Sequence, residues 1–132
     1  MKFIRSITLL FIIIFMILGI NKVNEAPETK AKPVRTWSVQ DSKAYARDKV
    51  LAYADRQWAC LNELWTNESH WRPEAYNKVK VMGKNAGGIP QLLGLDPKME
   101  PTLQIDRGVS YILYRYGSFC AALRHHNQKG WY

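Results

Sequence analysis

Leu64-Trp65-Thr66-Asn67-Glu68-Ser69-His70-Trp71 sets a single carboxylate where helical periodicity asks for an apolar side chain. Trp65 lies three residues before Glu68, Leu64 four and Leu61 seven, so all share one helix face. A glutamate on that stripe, in the last turn before a loop, is expected to be partly desolvated. Desolvation disfavours the charged form, raises the pKa and suits the group to general-acid work near neutral pH. The competing reading is an ordinary surface Glu at a frayed helix end. The local pattern by itself does not separate the two.

Outward from this stretch, a helix is expected from about Arg56 to Glu68, with Trp58, Leu61, Leu64 and Trp65 on its apolar side. An earlier helix starts at Ser38, with Asp41 as a first-turn acid and Tyr45, Ala46, Val50, Leu51 and Ala54 following. From Ser69 to Pro101 no period is sustained. Pro73, Gly83, Gly87, Gly88, Pro90, Gly94, Pro97 and Pro101 interrupt the chain, and a long irregular segment in a small domain is more often functional than idle. A short hairpin between Tyr76 and Gly87 is allowed, but no strand pattern stands out. Thr102 is expected to cap a third helix carrying Ile105, Val109, Ile112 and Tyr116, which Gly117 ends in the left-handed position. Ser118 then caps a last helix through Phe119, Cys120, Leu123 and His126. The expected fold is mainly α, about four helices around an irregular Gly/Pro-rich segment, without internal repeats.

The amino-terminal end, Met1-Lys2-Phe3-Ile4-Arg5-Ser6 followed by an apolar or small run from Ile7 to Ile20, has the layout of a secretory signal. The run is shorter than the ~20 residues of a membrane helix. Asn24-Glu25-Ala26 is a poor cleavage match with Pro27 behind it, so a retained signal anchor is the alternative. No cysteine follows the run, which argues against a lipoprotein anchor. Residues 1–26 are therefore read as signal peptide or signal anchor, 27–35 as a polar linker, and 36–132 as the folded domain. The protein is expected to be exported: secreted, periplasmic, or tethered to the outer face of the cytoplasmic membrane through residues 7–20. The formal charge of the 132-residue chain is +8; without residues 1–26 it is +6, from 16 basic and 10 acidic residues. That suggests a polyanionic partner such as a cell-wall polymer. The basic residues are scattered and no nucleic-acid motif is visible. Two cysteines, Cys60 and Cys120, invite a disulfide in an exported protein; two buried thiols are the other reading. Neither they nor the adjacent His125 and His126 have the spacing of metal ligands, so no metal and no cofactor is expected.

Four islands line up along the domain: Cys60-Leu61, Leu64-Trp65 and Glu68-Ser69-His70-Trp71; Ala86-Gly87-Gly88-Ile89-Pro90-Gln91; Gln104-Ile105-Asp106-Arg107-Gly108, Tyr111-Ile112 and Arg115-Tyr116-Gly117-Ser118; and His125-His126-Asn127 with Gly130-Trp131-Tyr132. In order and spacing they resemble the lysozyme-like lytic transglycosylase domain of small secreted and phage wall-cleaving proteins, over essentially all of 56–132. The resemblance implies that Glu68 is the catalytic acid and that Ser69 helps hold substrate beside it. It further implies that Gln91, ending a Gly-Leu-Met-Gln type motif written here Gly88-Ile89-Pro90-Gln91, contacts the glycan. His126-Asn127 takes the place of a Tyr-Asn pair across the cleft. His126 departs from the pattern: an imidazole can still donate to Glu68, while its charge would lower the Glu68 pKa.

The implied reaction cleaves the β-1,4 bond between MurNAc and GlcNAc of peptidoglycan and leaves a 1,6-anhydro sugar. Glu68 serves as acid and then base, and no second carboxylate is needed. The partners implied are peptidoglycan glycan strands, with the protein a monomer and the membrane touched only through the amino-terminal segment. Glu74, Asp96, Glu100 and Asp106 are the carboxylates that could rescue a hydrolytic muramidase; Asp96 and Glu100, in the variable segment, are the stronger candidates. Asp106 reads as a solvated or salt-bridged surface residue and Glu74 as structural. A basic, non-catalytic peptidoglycan-binding protein is the alternative from another class. Phage lysis and bacterial wall remodelling both fit. Trp71, Tyr76, Trp131 and Tyr132 could stack on sugar rings, although Trp in a small helical domain is more often core, and packing is expected for Tyr116.

Overall fold

The computed structural model describes residues 36–132; the expected leader and linker lie outside them. Helix α1 spans Val39–Val50, α2 Asp55–Ser69, α3 Pro101–Tyr116 and α4 Phe119–Lys129. Between α2 and α3, strands β1 (Tyr76–Val81), β2 (Lys84–Gly87) and β3 (Leu92–Leu93) form an antiparallel sheet in that order. The architecture is mainly α, as the periodicity implied; β1 and β2 form the hairpin that the sequence allowed between Tyr76 and Gly87, and β3 adds a strand it did not reveal.

Local chemistry accounts for most helix ends. Ser38 caps α1 by accepting from the Asp41 amide at 3.2 Å, and the Asp41 carboxylate accepts from the Ser38 amide at 2.9 Å, a complete capping box. The helix stops at Val50, earlier than the run to Ala54 suggested, because Leu51–Tyr53 tighten into a 3-10 turn and Ala54 takes φ 120°. Ser118 caps α4 through the Ala121 amide, and Gly117 closes α3 at φ 73°. Thr102 is not a cap. Glu100 holds that position with Pro101 directly after it. A proline at the first helical position has its φ preset and no N–H to satisfy, so the helix starts earlier.

The hairpin turns on Met82 and Gly83, both at positive φ (52° and 76°), the geometry of a two-residue turn matched to strand twist. Every residue of β1 is exposed. Its alternation Lys78-Val79-Lys80-Val81 was the period-2 signal, muted because neither face is buried.

The core is built from α2 outward. Leu61, Leu64, Trp65, Trp71, Ile89, Ile105 and Ile112 are completely buried, and Phe119 almost so. Trp71 is core rather than a sugar platform: its ring packs edge-on against Trp65 at 5.1 Å and its indole N–H donates to the Asn62 carbonyl at 3.3 Å. Gly108 lets α3 approach this cluster, since a Cβ there would lie 2.6 Å from Trp65 Cζ2 and 2.7 Å from Pro90 Cβ. Cys60 and Cys120 form the disulfide, joining α2 to α4.

Candidate active site

A groove of about 690 Å³ runs between the sheet and the ends of α2, α3 and α4. Asn77, Val81 and Met82 line the hairpin side, and Tyr111, Arg115, Trp131 and Tyr132 the opposite side. Glu68 and Gln91 open onto it as well. Among the described residues, Glu68 is the one carboxylate in the lining.

Glu68 stands in the last turn of α2, where the helix lays Leu61, Leu64 and Trp65 into the core and carries this carboxyl to their edge. Its side chain is 17 % exposed. Burial pushes its pKa above the ordinary 4.5, and the charge of His126 opposes that rise with the smaller effect. His126 Nε2, on α4, lies 3.2 Å from Glu68 Oε1, which places the imidazole where the resemblance expects a tyrosine. No partner among the described residues reaches His126 Nδ1.

The segment carrying Gly88 to Gln91 supports the groove floor: Gln91 lines it, Ile89 and Pro90 are buried, and hydrogen bonds tie the segment down. Ser69 Oγ donates to the Ile89 carbonyl at 2.6 Å, and the Ile89 amide donates to Gln104 Oε1 at 2.9 Å. Gln104 is fully buried, and its Nε2 donates to Met99 O at 2.8 Å, Pro73 O at 3.2 Å and Pro97 O at 3.3 Å. Gly88 has φ 73°, and a Cβ on it would run into Gln104 Oε1, so glycine is required there twice over. Gln91 Nε2 donates to Gly88 O and Ala75 O at 2.8 and 3.2 Å. Its amide nitrogen is thus spent on the loop, while the side chain still lines the groove.

Tyr132 completes the floor. Its hydroxyl accepts from Trp65 Nε1 at 2.9 Å and donates to the Pro90 carbonyl at 2.5 Å. Burial first, then the charge of Glu68, push this phenol well above its ordinary range, so it remains a donor at any physiological pH. Its role was invisible in the sequence beyond its being an aromatic near a motif; the bonding partners are 67 and 42 residues away.

Two expected site residues are placed differently. Ser69 is 2 % exposed and its hydroxyl is directed at Ile89 O and Trp65 O, so it holds the support of the floor in place. Asn127 is exposed on α4 and does not line the groove. It follows His126 by one residue, and a helix turns about 100° per residue, so the side chain beside one that faces inward points away. Tyr111 and Arg115, one turn apart on α3, were not singled out as site residues, and both line the groove.

The other carboxylates weighed for the site are engaged elsewhere or open to solvent. Asp106 accepts from Tyr45 Oη at 3.2 Å and pairs with Lys49 Nζ at 2.9 Å. Asp96 Oδ1 accepts from the Lys98 amide at 2.9 Å, Glu100 sits at the start of α3, and Glu74 is exposed. Among the described residues no three His, Cys, Asp or Glu side chains come together as a metal site would need. Comparison with known protein families, curated proteins and solved structures gives no match.

Proposed function

We propose that this chain is an exported, lysozyme-like lytic transglycosylase acting on peptidoglycan glycan strands. The observation that carries the reading is one partly desolvated carboxyl, Glu68, alone among carboxylates in a groove large enough for sugar rings. A hydrolase of either stereochemistry uses two carboxylates flanking the scissile bond; a groove with a single one suits a reaction whose nucleophile belongs to the substrate. Glu68, whose pKa burial shifts toward the protonated form, gives its proton in the reactive, protonated state to the glycosidic oxygen of the leaving GlcNAc as the bond to MurNAc C1 breaks. The C6 hydroxyl of the same MurNAc then bonds to C1, and the Glu68 carboxylate takes up its proton. The products are a 1,6-anhydro end and a free GlcNAc hydroxyl; no water is consumed and Glu68 returns to its starting form. His126 steadies the carboxylate between the two steps, and the Gly88–Gln91 floor fixes the geometry around it.

Mass spectrometry of fragments released from purified peptidoglycan tests this, using the oxidised protein and its Glu68→Gln variant. Anhydro-muramyl ends from the wild type, with release by the variant reduced about 10²-fold or more, are expected. Reducing ends would show a hydrolytic muramidase instead. No release from folded protein would leave a glycan-binding protein.

A further inference from the structure

The groove has a cation that the reaction above does not use. Among the described residues, Arg115 is the one permanently positive side chain in its lining. It occupies the last turn of α3, where any cation complements the helix dipole. A solvated lysine would serve that purpose, yet the guanidinium here is held by its surroundings. Nη1 donates to Tyr111 Oη at 2.8 Å. The guanidinium carbon lies 5.7 Å from the Tyr111 ring centre, 5.5 Å from that of Tyr116 and 5.3 Å from that of Trp131. Three rings and one hydrogen bond thus orient the fork while the side chain stays exposed. No described carboxylate pairs with it, and most of an arginine's five N–H donors remain for a ligand. Glu68, the one carboxylate among the described lining residues, is paired with His126 at 3.2 Å, which leaves the Arg115 fork for a ligand.

A neutral sugar polymer has no use for such a group. MurNAc differs from GlcNAc by a lactyl ether, whose carboxyl is free or extended by a peptide that ends in carboxylates. Building on the peptidoglycan reading, we propose that Arg115 receives a carboxylate of the muramyl branch and makes the groove selective for acid-bearing strands over neutral ones. Carboxylates match the guanidinium fork in two-pronged geometry, and the rings of Tyr111 and Trp131 beside it supply the apolar surface a branch would cross.

Calorimetric titration tests the assignment with three glycans of equal length: peptide-bearing strands, the same strands stripped by an amidase so that the lactyl carboxylate is free, and a neutral chitooligosaccharide. Glu68→Gln protein is used to prevent turnover, with Arg115 intact or replaced by Ala or Lys. At least one anionic strand is expected to bind about tenfold tighter than the neutral one. Arg115→Ala should erase that difference without changing affinity for the neutral glycan, and Arg115→Lys should keep part of it. Tighter binding of peptide-bearing strands assigns the carboxylate to the peptide; tighter binding of stripped strands assigns it to the lactyl group. Equal binding of all three glycans, or an equal loss for all three in Arg115→Ala, overturns the proposal. Either result can coexist with anhydro products in the cleavage assay, so this inference can fail while the enzymatic reading stands. Selective binding without any cleavage would do the reverse, and binding of none of the three overturns both.

Discussion

Glu68 answers to two opposed influences, and their balance sets a pH dependence. Burial raises its pKa above 4.5 and the His126 charge pulls it back, burial being the larger. As the acid must be protonated to start the reaction, activity is expected to fall as pH rises through this raised value. His126→Gln keeps a donor and removes the charge, so it should move that limb to higher pH; a pH–rate profile of both proteins measures it. The same residue affects stability. A carboxyl with a folded pKa above its unfolded one costs nothing below the unfolded pKa, and its full penalty is present once pH has passed the folded pKa. Glu68→Gln should therefore melt at a higher temperature than wild type at pH 7 and at the same temperature at pH 3. An unchanged melting temperature at both would mean that Glu68 is not desolvated. This much was legible from Leu61, Leu64 and Trp65, since a helix face is a local property. What Ser69 does was not, because Ile89 O lies 20 residues away and only the folded chain shows that it takes the hydroxyl.

At the scale of elements, helices declared themselves and the segment between them did not. The caps Ser38 and Ser118 and the stop at Gly117 are chemistry within four residues, which a sequence displays directly. The Gly88–Gln91 floor gets its shape from Gln104, a polar residue on the inner face of α3 that periodicity alone would mark as a defect. Gln104→Met keeps the volume and removes the bonds. It leaves the buried Ile89 amide without its acceptor and three loop carbonyls without their donor, a loss expected to cost about 2–4 kcal/mol. Urea denaturation should show it, together with reduced cleavage as the floor beside Glu68 loosens. Gly108 sets a second test in which two effects compete. Helix propensity favours Ala by about 1 kcal/mol, but the added Cβ would press on Trp65 and Pro90 at 2.6 and 2.7 Å, both buried. Overpacking at such a contact costs about 1–3 kcal/mol, so Gly108→Ala is expected to lower stability; a gain would mean that α3 can shift away from α2 freely.

Across the whole molecule, the site exists because α2 and α4 are held together. Glu68 rides on one and His126 on the other, so their 3.2 Å contact reports on the joint between the helices. Two ties reinforce the packing of that joint. Gln57 Oε1 on α2 accepts from the Phe119 and Cys120 amides at 2.9 and 3.3 Å, satisfying the exposed start of α4, and the Cys60–Cys120 disulfide closes 60 residues of chain beside it. The even cysteine count invited the bridge, and such a bridge would by itself staple the helix of Glu68 to the last helix; the fold adds the 3.2 Å approach of His126 to Glu68. On chain-entropy grounds a loop of that length contributes about 4 kcal/mol, a large share of the roughly 5–15 kcal/mol that holds a domain together. Reduction, or Cys60→Ala with Cys120→Ala, should therefore lower the urea midpoint sharply, while Gln57 keeps part of the joint in place. Under conditions where the reduced protein remains folded, a loosened α4 would weaken the opposing charge at Glu68. The high-pH limb of its activity should then move upward, in the direction expected for His126→Gln. A reduced protein with lower stability and an unmoved limb would show that the bridge secures the fold without aligning the pair.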